Sequence, residues 1–227
     1  MNEPALLNAL IAGATGASGR LLTQRLLDDP RYGRVHIVHY RPTGFAEHPK
    51  ATEHLLGLDD LEQLVIDESI GRVFCCLGTT LKQAGSVEAF ARVDRDYVVA
   101  LGRWAKKQTV AQLHVVSSLG VSARSPNYYS RTKGQMEQGL GELELPALVI
   151  YRPSMLHALR NPPRRNETLS YPLVKALCTL PGLRRFRPLN VADLAAVMHH
   201  HSLVDLHGVV EVRSATMQGA ASKPFSP

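Results

Sequence analysis

Tyr129 and Lys133 stand in the spacing Y-x-x-x-K, which on a helix sets both side chains on one face, a turn apart. A phenol beside an ammonium can exchange a proton with a carbonyl or alcohol oxygen while hydride moves at the adjacent carbon. The ammonium stabilises the phenolate form and can also hold a ribose. Such chemistry needs a further hydroxyl to fix the substrate oxygen, and the run Val115-Val116-Ser117-Ser118 offers two. Neighbouring strand residues point to opposite faces, so Ser117 and Ser118 cannot share that role. Ser118 is the preferred candidate, and the other serine is left to bond backbone. Tyr128 has Thr132 four residues on, lacks a lysine partner, and reads as a pocket or surface aromatic.

The second constellation is Gly13-Ala14-Thr15-Gly16-Ala17-Ser18-Gly19, a G-x-x-G-x-x-G run between an apolar strand and an amphipathic helix. Gly13 permits a sharp turn, Gly16 lets backbone approach a pyrophosphate, and Gly19 lets the helix pack on the strand. The helix N-terminus adds unpaired N–H groups and a positive dipole end. Gly13, Thr15, Gly16, Ala17, Ser18 and Gly19 are therefore candidate cofactor residues. The second strand ends in Val38-His39-Tyr40-Arg41-Pro42, without the acid that binds ribose hydroxyls in NAD-dependent folds. Arg41 is placed to meet a 2′-phosphate with a charge-assisted fork, with Arg20 to assist, so NADP(H) is favoured over NAD(H).

These groups need a scaffold, and the chain alternates strand and helix patterns. Strands are expected over 6–12, 35–40, 54–56, 72–77, 113–117, 147–151 and 209–212, the best of them continuously apolar and so covered on both faces. Helices are expected over 19–28, 61–67, 86–107, 130–143, 171–180 and 191–200. In 86–107 the residues Val87, Phe90, Val93, Tyr97, Leu101 and Trp104 make one apolar stripe. The order predicts an α/β fold, a Rossmann-type doubly wound parallel sheet of about seven strands. One domain is expected over 1–227, with residues 154–190 and 214–227 forming a small C-terminal substrate lobe and tail.

At 227 residues the chain can bury one such core, and 44% hydrophobic with 20% charged residues is ordinary for a globular protein. No apolar run approaches the roughly 20 residues of a membrane span. Met1-Asn2-Glu3-Pro4 carries no basic region, so the apolar residues after it read as a strand rather than a signal peptide. Three cysteines, Cys75, Cys76 and Cys178, suit buried thiols in a reducing compartment, and the expected location is cytoplasmic. The net charge is +6 and the pI about 9.4, but the basic residues are scattered without a nucleic-acid motif. The expected partner is a small molecule, anionic if Arg160, Arg164 and Arg165 line its pocket beside the Pro-rich loop 161–167. His199-His200-His201 diverge around a helix by about 100° per residue, so no metal is expected there.

The motifs together resemble the short-chain dehydrogenase/reductase superfamily in its extended or atypical branch, and more closely the Tat-interacting protein family. The resembling segments are Gly13 to Gly19, Phe74-Cys75-Cys76-Leu77-Gly78-Thr79-Thr80, Val93-Asp94-Arg95-Asp96-Tyr97-Val98, Ser117-Ser118, Tyr129 to Glu137 and Tyr151-Arg152-Pro153. The resemblance implies NADPH binding, with Leu77, Gly78 and Thr79 beside the cofactor. It also implies that Arg152 and Pro153 lead into the nicotinamide and substrate side. Many relatives carry Asn where this chain has Asp94. Many also carry an Asp before an apolar residue near adenine, where this chain has Gly57-Leu58, so Leu58 is expected to offer backbone contact only. The activity implied is reduction of a small carbonyl compound with Tyr129 as acid. The alternative is a non-catalytic NADP(H) redox sensor acting through a protein partner.

Overall fold

The computed structural model describes residues 6–157 and 187–222. Seven strands form one parallel sheet: β1 (Leu7–Ala12), β2 (Tyr32–His39), β3 (Ala51–Leu55), β4 (Arg72–Cys75), β5 (Gln112–Val116), β6 (Ala147–Arg152) and, last in the chain, Gly208–Arg213. Spatially the order is β3-β2-β1-β4-β5-β6 and then the last strand. The chain therefore winds outward from β1 in one direction and resumes from β1's other side at β4. That reversal opens a crevice beyond the carboxyl ends of β1 and β4, which is where ligands bind in open α/β sheets.

Alternating strand residues feed two cores. Ala9, Ile11, Val35, Ile37, Phe74, Val149 and Tyr151 face one side, under α1 (Ala17–Asp28) and the helix Val191–His201. Leu10, Ala12, Val73, Cys75, Leu113, Val115, Leu148 and Ile150 face the other, under the long central helix and the helix Tyr128–Gly141. Both faces are dry, which explains the continuously apolar strands. The second strand begins three residues earlier than the apolar run suggests, because Tyr32 is fully buried and its hydroxyl donates to Ser202 Oγ at 2.7 Å.

Three helical segments depart from the sequence expectation. Residues 61–67 do not form an α-helix; a 3₁₀ turn spans Leu58–Gln63. Leu58, Leu61 and Leu64 recur every three residues, the 3₁₀ period, and all pack on the second core. A short α2 (Leu81–Ala84) is capped by Thr80, whose Oγ1 accepts the Gln83 N–H at 3.2 Å. The expected helix 86–107 is α3 (Val87–Ala91) and α4 (Tyr97–Lys107), joined by a π-helical turn over Arg92–Asp96. Phe90, Asp94, Val98, Leu101 and Trp104 face inward, while Val93 and Tyr97 are half-exposed.

The remaining elements are α5 (Tyr128–Gly141), the two-residue strands β7 (Leu156–His157) and β8 (Leu189–Asn190), α6 (Val191–His201), β9 (Gly208–Arg213) and α7 (Ser214–Met217). β7 and β8 pair in parallel beside the crevice. The expected helix 171–180, the loop 161–167, Cys178, and Arg160, Arg164 and Arg165 lie outside the described residues, as does most of the segment expected as a substrate lobe. Among the described residues no helix is long and apolar enough to cross a membrane.

Candidate active site

The floor of the crevice is the turn from β1 into α1. Gly13 has φ +89°, and a Cβ there would meet the backbone of Cys76 at 2.5 Å. A Cβ on Gly19 would collide with the Gly13 carbonyl. Both glycines therefore serve close packing of β1, α1 and the loop after β4. Gly16 differs, because its Cβ would have only the Gly13 carbonyl within close range, at 3.3 Å. It precedes α1 as N-cap, with no side-chain cap and no acid in the first turn. The first-turn N–H groups thus remain available beside Gly16, Ala17 and Ser18, which line the cleft. This is a cradle for an anion such as a pyrophosphate.

Opposite stands the loop after β4, with Leu77, Gly78 and Thr79 in the cleft wall. The third wall is α5. Tyr129 and Lys133 both line the cleft, one turn apart on the same face. Asn127 caps the helix, its Oδ1 accepting the Ser130 N–H at 3.1 Å. A Cβ on Gly134 would overlap the backbone of Ser122 and Ala123, so that glycine lets the loop before α5 close against it. Tyr129 leans on Phe90, ring centroids 5.8 Å apart, while Tyr128 meets the same ring edge-on at 5.4 Å. The Tyr129 hydroxyl has no partner among the described residues. Lys133 is buried, its Nζ 2.8 Å from Asp94 Oδ1 and 3.4 Å from the Val116 carbonyl.

Leu113 and Val115 face the core that α5 covers, so Ser117, in the same alternation, faces Tyr129 and Lys133. Ser117 lines the cleft and Ser118, the preferred candidate from sequence, does not. The Ser117 Oγ is buried and has no hydrogen-bond partner. The strand parity that identifies Ser117 was readable once α5 was placed on the Val115 face. Among the other cleft residues, Leu156 and His157 fall in the segment expected on the substrate side and Cys76 and Thr80 in a segment that carries the resemblance, whereas Gln83 and Val191 carried no sequence signal.

Several expected cofactor residues lie elsewhere. Arg152 does not enter the cleft wall. Its guanidinium grips Glu137 at 3.0 and 2.7 Å and Glu211 at 2.6 Å, which ties α5 to β6 and β9. Pro153 is buried and its carbonyl accepts the Leu119 N–H at 2.8 Å. Leu58 packs in the second core. Thr15 is exposed beside the end of β2, where His39 Nδ1 accepts the Arg41 N–H at 3.1 Å. The His39 ring proton therefore sits on Nε2 and is donated to Thr15 Oγ1, 3.0 Å away. Burial pushes the His39 pKa down, in keeping with that neutral form. Arg41 is exposed, its guanidinium 5.3 Å from the centre of the Tyr40 ring and without a carboxylate partner among the described residues. The end of β2 thus carries an exposed arginine and no acid.

A larger hollow of about 630 Å³ lies on the outer side of α4 and α5, whereas the crevice measures about 370 Å³. Three of the four acids lining the larger hollow are paired, Asp59 by Arg92 and Glu62 by Arg103, each at 2.6 Å, and Asp96 by Arg95 at 2.7 Å. The unpartnered Ser117 and Tyr129 hydroxyls and the anion cradle all belong to the smaller one, which we take as the site. His199 and His201 turn to different partners, Asp29 at 2.7 Å and the Tyr151 hydroxyl at 3.3 Å.

These residues fit a nicotinamide dinucleotide, and the similarity to known proteins agrees. Residues 9–138 match the NAD dependent epimerase/dehydratase family. The chain is 30% identical over 168 residues to Protein HTATIP2 of Rattus norvegicus, covering 72% of this chain and 68% of that one. It is 30% identical over 184 residues to a protein named FMP52, mitochondrial, of Chaetomium globosum, covering 77% and 76%. Among solved structures, MoeE5 in complex with UDP-glucose and NAD superposes with a TM-score of 0.66 at 16% identity, over 90% of this chain and 74% of that one. The dTDP-4-dehydrorhamnose reductase of Bacillus anthracis in complex with NADP gives 0.65 at 17% identity, over 93% and 76%. The structural likenesses establish the Rossmann fold; the sequence match over more than half the chain establishes the family. The chain belongs to the NAD dependent epimerase/dehydratase family, that is, to the extended short-chain dehydrogenases/reductases.

Proposed function

We propose that the protein is an NADPH-dependent reductase of a small carbonyl compound. The observation that carries this reading is the buried Ser117 hydroxyl, without a hydrogen-bond partner among the described residues, in one cleft with the exposed Tyr129, with Lys133 and with an anion cradle. A buried hydroxyl without a partner is costly, so it is expected to serve a ligand. When bound, the dihydronicotinamide supplies hydride. Ser117 Oγ–H donates to the carbonyl oxygen and polarises it. Tyr129 gives its phenolic proton to the same oxygen as negative charge develops, and the Lys133 ammonium offsets the phenolate that remains. Ala17 and Ser18 hold the pyrophosphate through backbone N–H groups, and Gly16, whose own N–H donates to the Gly13 carbonyl at 3.0 Å, lets it come close. Arg41 meets the 2′-phosphate, which favours NADP(H) over NAD(H). A non-catalytic sensor would need cofactor contacts but no unpaired substrate hydroxyls, so the enzyme is the reading preferred here.

The test is NADPH oxidation against a panel of aldehydes and ketones, with Tyr129→Phe alongside. Turnover with at least one compound, reduced at least a hundred-fold by the substitution, is expected. Turnover that Tyr129→Phe leaves unchanged would remove Tyr129 from the reaction.

A further inference from the structure

His39 closes β2 and is only 8% exposed, yet its imidazole serves two separate segments of the chain. Nδ1 accepts the backbone N–H of Arg41 at 3.1 Å, and the Nε2–H donates to Thr15 Oγ1 at 3.0 Å. Thr15 belongs to the glycine turn between β1 and α1, and Arg41 to the bend after β2, so one ring ties the two together. Both ring nitrogens of the neutral imidazole are used, one as acceptor and one as donor, which orients the ring. Tyr40, between the two residues, is turned outward and stacks on the imidazole with ring centroids 4.5 Å apart. Pro42 follows, and its ring keeps the backbone of Arg41 out of the helical region. The base of the Arg41 side chain is therefore held from both sides.

The bend alone does not call for an imidazole. Asn, Asp or Ser closes such a turn by accepting the N–H two residues on, and their shorter side chains would leave Thr15 untouched. The acid of the neighbouring strand, Glu53, is engaged by Thr43, whose hydroxyl donates to Oε1 and whose N–H donates to it at 3.0 Å. The pyrophosphate and the 2′-phosphate of one NADP(H) molecule are held apart by a single ribose, so the protein groups that receive them need a matching, fixed spacing. We infer that His39 is a positioning residue for cofactor choice: by tying the Arg41 backbone to the glycine turn, it sets the guanidinium within reach of a 2′-phosphate while the pyrophosphate lies on that turn. This inference rests on the proposed reading of Arg41 as the 2′-phosphate contact. His39 acts through Arg41 and itself makes no contact with the phosphate.

The experiment titrates NADPH and NADH in parallel and reads the ratio of their affinities, which needs no turnover. His39→Asn sets an amide oxygen near the place of Nδ1 and still accepts the Arg41 N–H. His39→Gln sets its amide near the place of Nε2 and loses that acceptor. His39→Gln should cut the preference for NADPH about five-fold, one neutral hydrogen bond's worth, with NADH affinity unchanged. His39→Asn should keep the preference within about two-fold. In an Arg41→Ala background His39→Gln should change the ratio no further, because His39 acts only through Arg41. Equal weakening of both cofactors by His39→Gln would overturn the inference, since it marks a general structural role. So would equal loss of preference in His39→Asn and His39→Gln, or a further loss in the Arg41→Ala background. If His39→Gln does not fold, Thr15→Val decides: it removes only the acceptor of the Nε2–H and should lower the preference at least about two-fold, and an unchanged ratio overturns the inference. A preference lowered by Arg41→Ala and untouched by His39→Gln removes the positioning role alone. A preference that Arg41→Ala leaves unchanged removes the 2′-phosphate reading of Arg41 and this inference with it.

Discussion

Replacing Ser117 by alanine should make the protein more stable and less active. Its Oγ is buried without a hydrogen-bond partner among the described residues, and the residue is 4% exposed. An unsatisfied buried polar group costs about 1–3 kcal/mol. Alanine removes that cost and loses only the packing of one oxygen, which leaves a gain of about 1 kcal/mol in the cofactor-free protein. For a domain of this size 1 kcal/mol corresponds to about 2–4 °C in Tm. In the proposed reaction the same hydroxyl donates to the carbonyl oxygen as charge builds on it, and losing one such donor lowers kcat by about 10²–10³. Thermal unfolding of the cofactor-free protein and steady-state reduction of one active carbonyl measure the two effects. Ser118→Ala, outside the cleft wall, should leave kcat unchanged. A Ser117→Ala protein that melts several degrees lower with undiminished kcat would show that the hydroxyl serves the fold. The reasoning from an unsatisfied group to a substrate contact would then be refuted.

Three further outcomes follow from the same geometry. Arg41→Ala should cut the preference for NADPH over NADH by about ten-fold, the worth of one charge-assisted contact, in parallel titrations of both cofactors; an unchanged ratio would show that Arg41 meets no phosphate. Gly16→Ala should keep Tm within about 2 °C, since its Cβ meets only the Gly13 carbonyl at 3.3 Å, yet weaken NADPH at least ten-fold by crowding the pyrophosphate; Gly19→Ala, whose Cβ collides with that carbonyl, should lower Tm as well. For Asp29, burial opposes ionisation, but hydrogen bonds from Arg31 and His199 outweigh it and hold the pKa at about 2 against an ordinary 3.8. The depressed value means that its stabilisation is complete above pH 3.8 and is lost as pH falls through about 2. Asp29→Asn should flatten the acid limb of a pH–stability curve in that window, and an unaltered limb would place the acid sensitivity elsewhere.

Much of the scaffold was legible because its signals are local. Seven apolar runs became the seven strands, and the glycine run sits at the β1–α1 turn because sharp backbone geometry and close approach leave few alternatives to glycine. The Y-x-x-x-K pair likewise needs only helical periodicity to be placed on one face. What escaped the sequence depends on partners distant in the chain. Arg152 looked like a cofactor residue by its position after β6, but Glu137 and Glu211, one on a helix and one on the last strand, claim its guanidinium. Ser117 needed the knowledge that α5 covers the Val115 face. The π turn over Arg92–Asp96 is announced by no residue between Val87 and Lys107. Leu156 and His157 line the cleft within the segment expected on the substrate side, whereas Val191, which opens α6, had no such signal.

The central claim is that the Ser117, Tyr129 and Lys133 cleft reduces a carbonyl with hydride taken from NADPH. It is tested most directly by presenting NADPH deuterated at nicotinamide C4 with the carbonyl panel and locating the label by mass spectrometry. The account predicts one deuterium on the carbinol carbon of a product alcohol, and its loss with Tyr129→Phe although that variant still binds NADPH. Tight NADPH binding with no deuterium in any product across the panel would contradict it.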